Sequence, residues 1–227
     1  MSGDETGPVW TIVVAAGSAS RFGAPKQFLD LAGSRVVDRS VLTACRHSDG
    51  VVVVTPAEPV PGVAPVVAPQ GHVVREVSGA ESRTGSVRRG LDAVPPDAAV
   101  ILIHDAARPL ATDAVYERVI AAVRGGADAV TPAVPVADTL RRRSGGTIDR
   151  DDVVAVQTPQ GFRASALRAA HDGGAEATDD VTVVEVAGGT VALVEGDVRN
   201  IKLTMPSDLD VAARFLERAD REREEQE

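Results

Sequence analysis

The chain has 227 residues, 44% of them hydrophobic, which suits one globular domain around a single core. The apolar runs Val9–Ala16 and Ala98–Ile103 are far too short for a bilayer, and Met1-Ser2-Gly3-Asp4-Glu5 carries no basic, apolar leader, so neither a membrane span nor a secretory signal is expected. With 33 acidic and 24 basic residues the net charge of −9 opposes broad attraction to nucleic acid or an anionic membrane, and a lone Cys45 with four scattered histidines offers neither a disulfide framework nor a zinc spacing; a cytoplasmic protein is expected.

Residues 1–7 read as a tail. Val9–Ala16, continuous and rich in β-branched residues, predicts a buried strand that runs into a loop over 17–25. Val36–Arg46 has helical spacing, Val51–Thr55 predicts a second buried strand, and Pro56–Gly71, dense in proline and glycine, an irregular connection. The alternation continues with a strand near Val73–Val77, a helix over Ser82–Ala93, a strand at Ala98–His104, a helix over Asp113–Arg124 stopped by Gly125-Gly126, and a strand at Asp128–Ala133. This predicts an α/β fold: a Rossmann-like, mostly parallel sheet with helices on both faces, in one domain over 8–220 with tails at 1–7 and 221–227.

Residues 135–160 break the rhythm. Val134–Arg141 and Thr147–Arg150 predict a β-hairpin with Gly145-Gly146 at its tip. Such a ribbon has too little core to stand alone. A protruding arm over 135–158 that packs on a second subunit, and hence a homodimer, is the expectation; packing on its own domain is the alternative. Arg214–Glu227 reads as a solvated helix, His47, His72 and His171 as surface residues, and Cys45 as packing within a helix.

In sheets of this kind ligands bind beyond the carboxyl ends of the strands. Three polar clusters fall at that edge: Gly17–Lys26, Asp105–Pro109, and Asn200–Thr204 after the apolar run Thr190–Val194. The first fits no standard phosphate loop. Ala19 and Phe22 occupy glycine positions of the dinucleotide fingerprint, and five residues instead of four separate Gly17 from Gly23, with Ala-Pro before Lys26. What remains is a turn of small residues whose N–H groups can face an anion, with Arg21 and Lys26 as cations. Lysine is also rare here: of 24 basic residues only Lys26 and Lys202 are lysine, the side chain that offers a compact point charge.

Ala15-Ala16-Gly17 followed by Arg21 and Pro25-Lys26-Gln27-Phe28 resembles the signature of sugar-nucleotide pyrophosphorylases. It is more similar to the 2-C-methyl-D-erythritol 4-phosphate cytidylyltransferase family, as are Ser82–Val87, His104-Asp-Ala-Ala-Arg-Pro109, Pro135–Leu140, Gln157–Phe162, Thr178-Asp-Asp180 and Asn200–Thr204, in the family's order. The resemblance implies transfer of a cytidylyl group from CTP to a polyol phosphate with release of pyrophosphate and with Mg²⁺ as cofactor. By resemblance Arg21 and Lys26 stabilise the α-phosphate and departing pyrophosphate, and Lys202 and Arg150 hold the incoming phosphate. Ala15, Ala16, Gly17, Ser18, Ala80, Glu81, Arg83 and Ser86 match nucleotide contacts. Asp105, Arg108, Thr139 and Thr158 match substrate contacts, Asp105 also being the candidate metal ligand; a cap on the next turn is its structural alternative. Thr139 and Arg150 lie on the arm that, in the family, reaches the neighbouring subunit's site. A ribitol or other polyol phosphate cytidylyltransferase would share these loops. A non-catalytic nucleotide-binding homologue and a nucleotide-dependent oxidoreductase are weaker alternatives, the latter because the glycine fingerprint is missing. Three departures from the family pattern stand out: Ala19 where glycine is common, Arg199 where aspartate often precedes Asn-Ile-Lys, and the Ala80-Glu81 pair.

Overall fold

A computed structural model describes residues 6–17, 22, 25–173 and 179–224. In chain order the strands and helices are β1 (Val9–Val14), β2 (Asp30–Leu31), β3 (Ser34–Arg35), α1 (Val36–Arg46), β4 (Gly50–Thr55), β5 (Val74–Ser78), α2 (Arg83–Ala93), β6 (Val100–Asp105), α3 (Asp113–Arg124), β7 (Ala129–Pro135), β8 (Leu140–Arg141), β9 (Thr147–Ile148), β10 (Val154–Val156), β11 (Gln160–Arg163), α4 (Ala164–Asp172), α5 (Asp180–Val186), β12 (Val191–Glu195) and α6 (Ser207–Glu224).

The main sheet runs β10-β7-β11-β6-β1-β4-β5, with β12 also paired to β7. β1 pairs in parallel with β4 and β6, β4 with β5, and β7 with β12. β11 lies antiparallel between β6 and β7, and β10 is antiparallel to β7. The expected mostly parallel sheet is therefore present.

Period two along the strands sends residues to opposite faces. Val9 and Val13 join α1 and α3 in one core, where Val37, Val41, Val115 and Tyr116 are buried. Trp10 and Ile12 join α2, α4 and α5 in a second core around Val87, Leu91, Leu167 and Val184. A third cluster fixes α6 and the segment before it, through Leu203 and Ala212, on Leu31, Val36 and Leu110. α2 sits unusually close to the sheet: a Cβ at Gly90 would lie 2.7 Å from Ile12 Cγ2.

The arm is smaller than the sequence predicts. Val134 and Pro135 belong to β7, so the ribbon consists only of β8 on β9. Arg150 leaves the ribbon altogether and begins a 3-10 turn that the Asp149 carboxylate caps at the N–H of Asp151. Gly145 and Gly146, at φ 106° and 84°, do form the tip.

Two of the three histidines assigned to the surface are packed instead. His47 stacks on Tyr116 with ring centroids 5.2 Å apart and bonds Asp113. His171 is buried against Asp180. His72 is exposed, as expected. Cys45 is buried in α1, and burial pushes its thiol up to about 11, so it packs rather than reacts.

Candidate active site

The carboxyl ends of β1, β5 and β6 open onto a cavity of about 550 Å³ lined by residues of all three polar clusters. From the end of β1 and the first cluster come Ala15, Ala16, Gly17 and Lys26, and from the turn before α2 and its first turn come Ala80, Glu81, Arg83 and Ser86. Asp105 at the end of β6 and Lys202 from the segment before α6 complete the wall. Arg21 and Ser18 lie outside the described residues.

Two buried side chains shape the small-residue walls. The Gln27 amide, 4% exposed, donates to the carbonyls of Ala15 at 2.8 Å and Gly17 at 3.2 Å, which pins the loop after β1. Ser86 Oγ accepts from the N–H of Ala80 at 3.0 Å and donates to its carbonyl at 3.3 Å, so this hydroxyl holds the Ala80–Glu81 turn. Ser82 caps α2 by accepting from the Gly85 N–H, directing that helix's N-terminus to the cavity that Ser82 also lines.

The two lysines meet the same short segment. Lys26 Nζ donates to the Leu203 carbonyl at 2.5 Å and stands 5.9 Å from the Phe22 ring centroid. Lys202 Nζ donates to Asp105 Oδ2 at 2.6 Å, and its side chain is 45% exposed. Arg83 Nη2 lies 3.7 Å from Asp105 Oδ1. Burial pushes the Asp105 carboxyl up, but Lys202 and Arg83 outweigh it and hold the group below its ordinary range, ionised at neutral pH. The Asp105 side chain is thus committed to cations rather than to capping the next turn.

Beneath Asp105 runs a buried relay. Its N–H donates to Thr158 Oγ1 at 3.0 Å, Thr158 Oγ1 lies 3.1 Å from His104 Nδ1, and His104 Nε2 lies 3.1 Å from the Arg108 carbonyl. Burial lowers His104 to about 4, so the ring is neutral. A carbonyl can only accept, which assigns the proton to Nε2 and makes Nδ1 the acceptor of the Thr158 hydroxyl. Thr158 therefore supports Asp105 from below instead of lining the cavity. Arg108 does not line it either. Its guanidinium donates to the carbonyls of Asn200 at 2.7 Å and Val156 at 3.2 Å, tying the Lys202 segment to β10.

Gln157 completes that tie. Its amide donates to the carbonyls of Asp197 and Asn200 and accepts from the Asp197 N–H and the Asn200 amide. Leu203 N–H donates to the Ala107 carbonyl at 2.8 Å. Gln27, Gln157, His104 and Asn200 had no individual role in the sequence reading; the available signal was polar residues inside otherwise apolar or motif-like stretches. Thr139 and Arg150 are brought together elsewhere, around a second cavity of about 410 Å³ on the arm.

Among the described residues, the main cavity offers no serine, histidine and aspartate in a triad. It offers backbone of small residues, a helix N-terminus, two lysines, an arginine and an ionised carboxylate, the equipment for holding polyphosphate and neutralising charge. On a doubly wound sheet this arrangement suits the phosphates of a nucleotide, bound at the carboxyl ends of the strands.

Residues 9–218 match the family described as IspD: 2-C-methyl-D-erythritol 4-phosphate cytidylyltransferase. The chain is 43% identical over 224 residues to the 2-C-methyl-D-erythritol 4-phosphate cytidylyltransferase of Nocardia farcinica, covering 95% of this chain and 96% of that one. It is 43% identical over 223 residues to the enzyme of the same name from Rhodococcus opacus, covering 93% and 96%. Among solved structures, the 2-C-methyl-D-erythritol 4-phosphate cytidylyltransferase of Thermus thermophilus superposes with a TM-score of 0.76 at 34% identity, covering 94% of this chain and 100% of that one. The chain belongs to the 2-C-methyl-D-erythritol 4-phosphate cytidylyltransferase family.

Proposed function

We propose that the protein joins CTP to 2-C-methyl-D-erythritol 4-phosphate, giving 4-diphosphocytidyl-2-C-methyl-D-erythritol and pyrophosphate in non-mevalonate isoprenoid biosynthesis. The observation that carries this reading is that both lysines of the chain border one cavity with Asp105, Arg83 and the small-residue loop after β1.

The nucleophile is an oxygen of the substrate's phosphate. Its second pKa near 6 leaves it largely ionised at neutral pH, so no protein base is needed. This oxygen forms a bond to the α-phosphorus of CTP, the bond from that phosphorus to the β-bridging oxygen breaks, and the electron pair departs with pyrophosphate. The work left to the protein is to bring two anions into line and to neutralise the charge that grows between them. Lys26 and Arg21 are assigned to the α-phosphate and leaving group, and Lys202 to the incoming phosphate, for which it exchanges Asp105. Ala15, Ala16, Gly17, Ser18, Ala80, Glu81, Arg83 and Ser86 are assigned to the nucleotide.

A hard, ionised carboxylate beside a polyphosphate site suits Mg²⁺, which commonly takes one or two protein carboxylates and completes its shell with phosphate oxygens and water. Asp105 would hold it, and the ion would supply positive charge to the triphosphate. The homodimer is proposed from the arm: Thr139 and Arg150 flank their own cavity away from the lysines, as residues serving a neighbouring subunit would. Among the described residues no helix is long and apolar enough to cross a membrane. A cytoplasmic setting is proposed with support from the single free, buried Cys45.

The test is pyrophosphate release with Mg²⁺ across a panel of nucleoside triphosphates and polyol phosphates. Release with CTP and methylerythritol phosphate above all other pairs is expected. No release with that pair refutes the proposal, and preference for ribitol phosphate would move the substrate assignment to that polyol.

A further inference from the structure

Arg83 faces two carboxylates. Toward the cavity its Nη2 lies 3.7 Å from Asp105, and away from it Nη1 donates to Asp180 Oδ2 at 2.6 Å. Asp180 is not a cavity residue. It opens α5, 97 positions along the chain from Arg83, and is 1% exposed. Asp179 caps that helix through the Thr182 N–H and so fixes where the Asp180 side chain emerges. Among the described residues the other Asp180 oxygen, Oδ1, has no hydrogen-bond partner, and neither ring nitrogen of His171 has one, although His171 Nε2 stands 3.5 Å away. The Asp180 carboxylate thus accepts its hydrogen bond from Arg83.

A buried carboxylate whose partner leaves is left as an uncompensated charge, a costly state. Arg83 is accordingly held in place from outside the cavity, and it cannot turn fully to a ligand as a solvated arginine would. Burial pulls the guanidinium down, but Asp180 and Asp105 together overcome this and keep it charged. From Lys202 inward the charges alternate: Lys202, Asp105, Arg83, Asp180. When Lys202 exchanges Asp105 for a substrate phosphate, Arg83 remains beside Asp105 as the counter-charge that the chain itself supplies.

We propose that Asp180 is a positioning residue for the transfer reaction, acting through Arg83 to set the cationic wall of the nucleotide cavity and to hold Asp105 once Lys202 turns to substrate. This rests on the cytidylyltransferase reading above. A purely structural ion pair between α2 and α5 would instead change the folded fraction and leave the affinity for nucleotide untouched.

The experiment is steady-state pyrophosphate release by the full chain with CTP, Mg²⁺ and methylerythritol phosphate, paired with urea unfolding. Asp180→Asn is expected to raise the CTP KM by about tenfold or more, with a smaller rise in the polyol phosphate KM because Asp105, less firmly held by Arg83, competes for Lys202. In an Arg83→Gln background the same substitution is expected to add less than about twofold, because its route to the site is already cut. A folded Asp180→Asn enzyme with an unchanged CTP KM overturns the proposal, as does full additivity with Arg83→Gln. If Asp180→Asn alone does not fold, the double variant, which leaves no lone buried carboxylate, is compared with Arg83→Gln alone: equal CTP KM values are required, and a difference beyond about threefold overturns the proposal. A wild-type protein that neither binds CTP in calorimetry nor releases pyrophosphate overturns the functional reading and takes this proposal with it, whereas an active wild type with an indifferent variant overturns the proposal alone.

Discussion

Mild acid should weaken this fold through His104, and the size of the effect follows from the relay under Asp105. His104 is fully buried and titrates at about 4 in the folded chain, against about 6.5 when unfolded. Above the unfolded value both states hold the ring neutral and the group contributes nothing to pH dependence. As pH falls below about 6.5 the unfolded chain takes up a proton that the folded chain refuses, so stability drops until both states are protonated below about 4. The difference of roughly 2.5 pKa units corresponds to about 2 kcal/mol lost by pH 5 and about 3 kcal/mol by pH 4. The carboxylates held low by their partners, such as Asp105 and Asp113, act at lower pH: their stabilisation is present above the unfolded carboxylate pKa of about 3.9 and is lost as pH falls through their folded values. The range from about pH 6.5 to 5 therefore lies above these carboxylates, and the difference between wild type and a variant of His104 alone reads this ring. Trp10, the single tryptophan and 6% exposed, reports urea unfolding by fluorescence. His104→Gln, which cannot titrate, should be less stable than wild type at neutral pH, because the relay is cut, and should close that gap by about 2 kcal/mol on going to pH 5. If the two stability curves run parallel over that range, the assignment of a neutral, proton-refusing His104 is wrong.

Lys26→Ala and Lys202→Ala should each slow pyrophosphate release by about two orders of magnitude or more, as loss of a charge that meets a transition state does; for Lys202, exposed at 45%, the urea midpoint should hardly move, and turnover retained in either variant contradicts the assigned roles. Gln27→Ala leaves the Ala15 and Gly17 carbonyls without their donor and should cost about 1–3 kcal/mol while raising the CTP KM; an unchanged KM in titrations with CTP would show that the loop keeps its form unaided. Gly90→Ala puts a methyl 2.7 Å from Ile12 Cγ2 and 3.0 Å from Val54 Cγ2, and overpacking should destabilise by about 1–3 kcal/mol with turnover per folded molecule intact; equal or greater stability in urea would mean that α2 can lift off the sheet freely.

The parallel strands β1, β4 and β6 were legible because each is buried on both faces and so reads as an unbroken apolar run, as in Ile12, Val13, Ile101 and Leu102. The loops at their carboxyl ends were legible for the same reason, as the points where those runs stop at Gly17 and Asp105. α5 was not legible. Asp180-Val-Thr-Val-Val-Glu-Val186 has the composition of a strand, yet the Asp179 cap and the burial of Val181, Val183 and Val184 make it helical. The antiparallel β11 between β6 and β7 leaves no local mark either, since its partners are far away in sequence. At the site, residue type suggested which side chains carry charge but not where they spend it: Arg108 has the chemistry of a phosphate ligand, and only the fold shows its guanidinium bound to the Asn200 and Val156 carbonyls. The arm was overdrawn because alternation over 134–141 does not reveal that Val134 and Pro135 are shared with β7.

The segment that carries Lys202 follows every described strand of the sheet in chain order, and it is laid back across the ends of β1 and β6 by bonds to Lys26 and Asp105, 177 and 97 positions earlier. This order sets a timetable for biosynthesis. Domains gain structure as they leave the ribosome, at about 5–20 residues per second. A nascent chain that has emerged only as far as Glu195 holds all those strands and the loop after β1, but one of its two lysines is still in the tunnel. On the roles proposed for Lys26 and Lys202, a nascent chain of that length holds half of the clamp, and the other half arrives only with a segment made later.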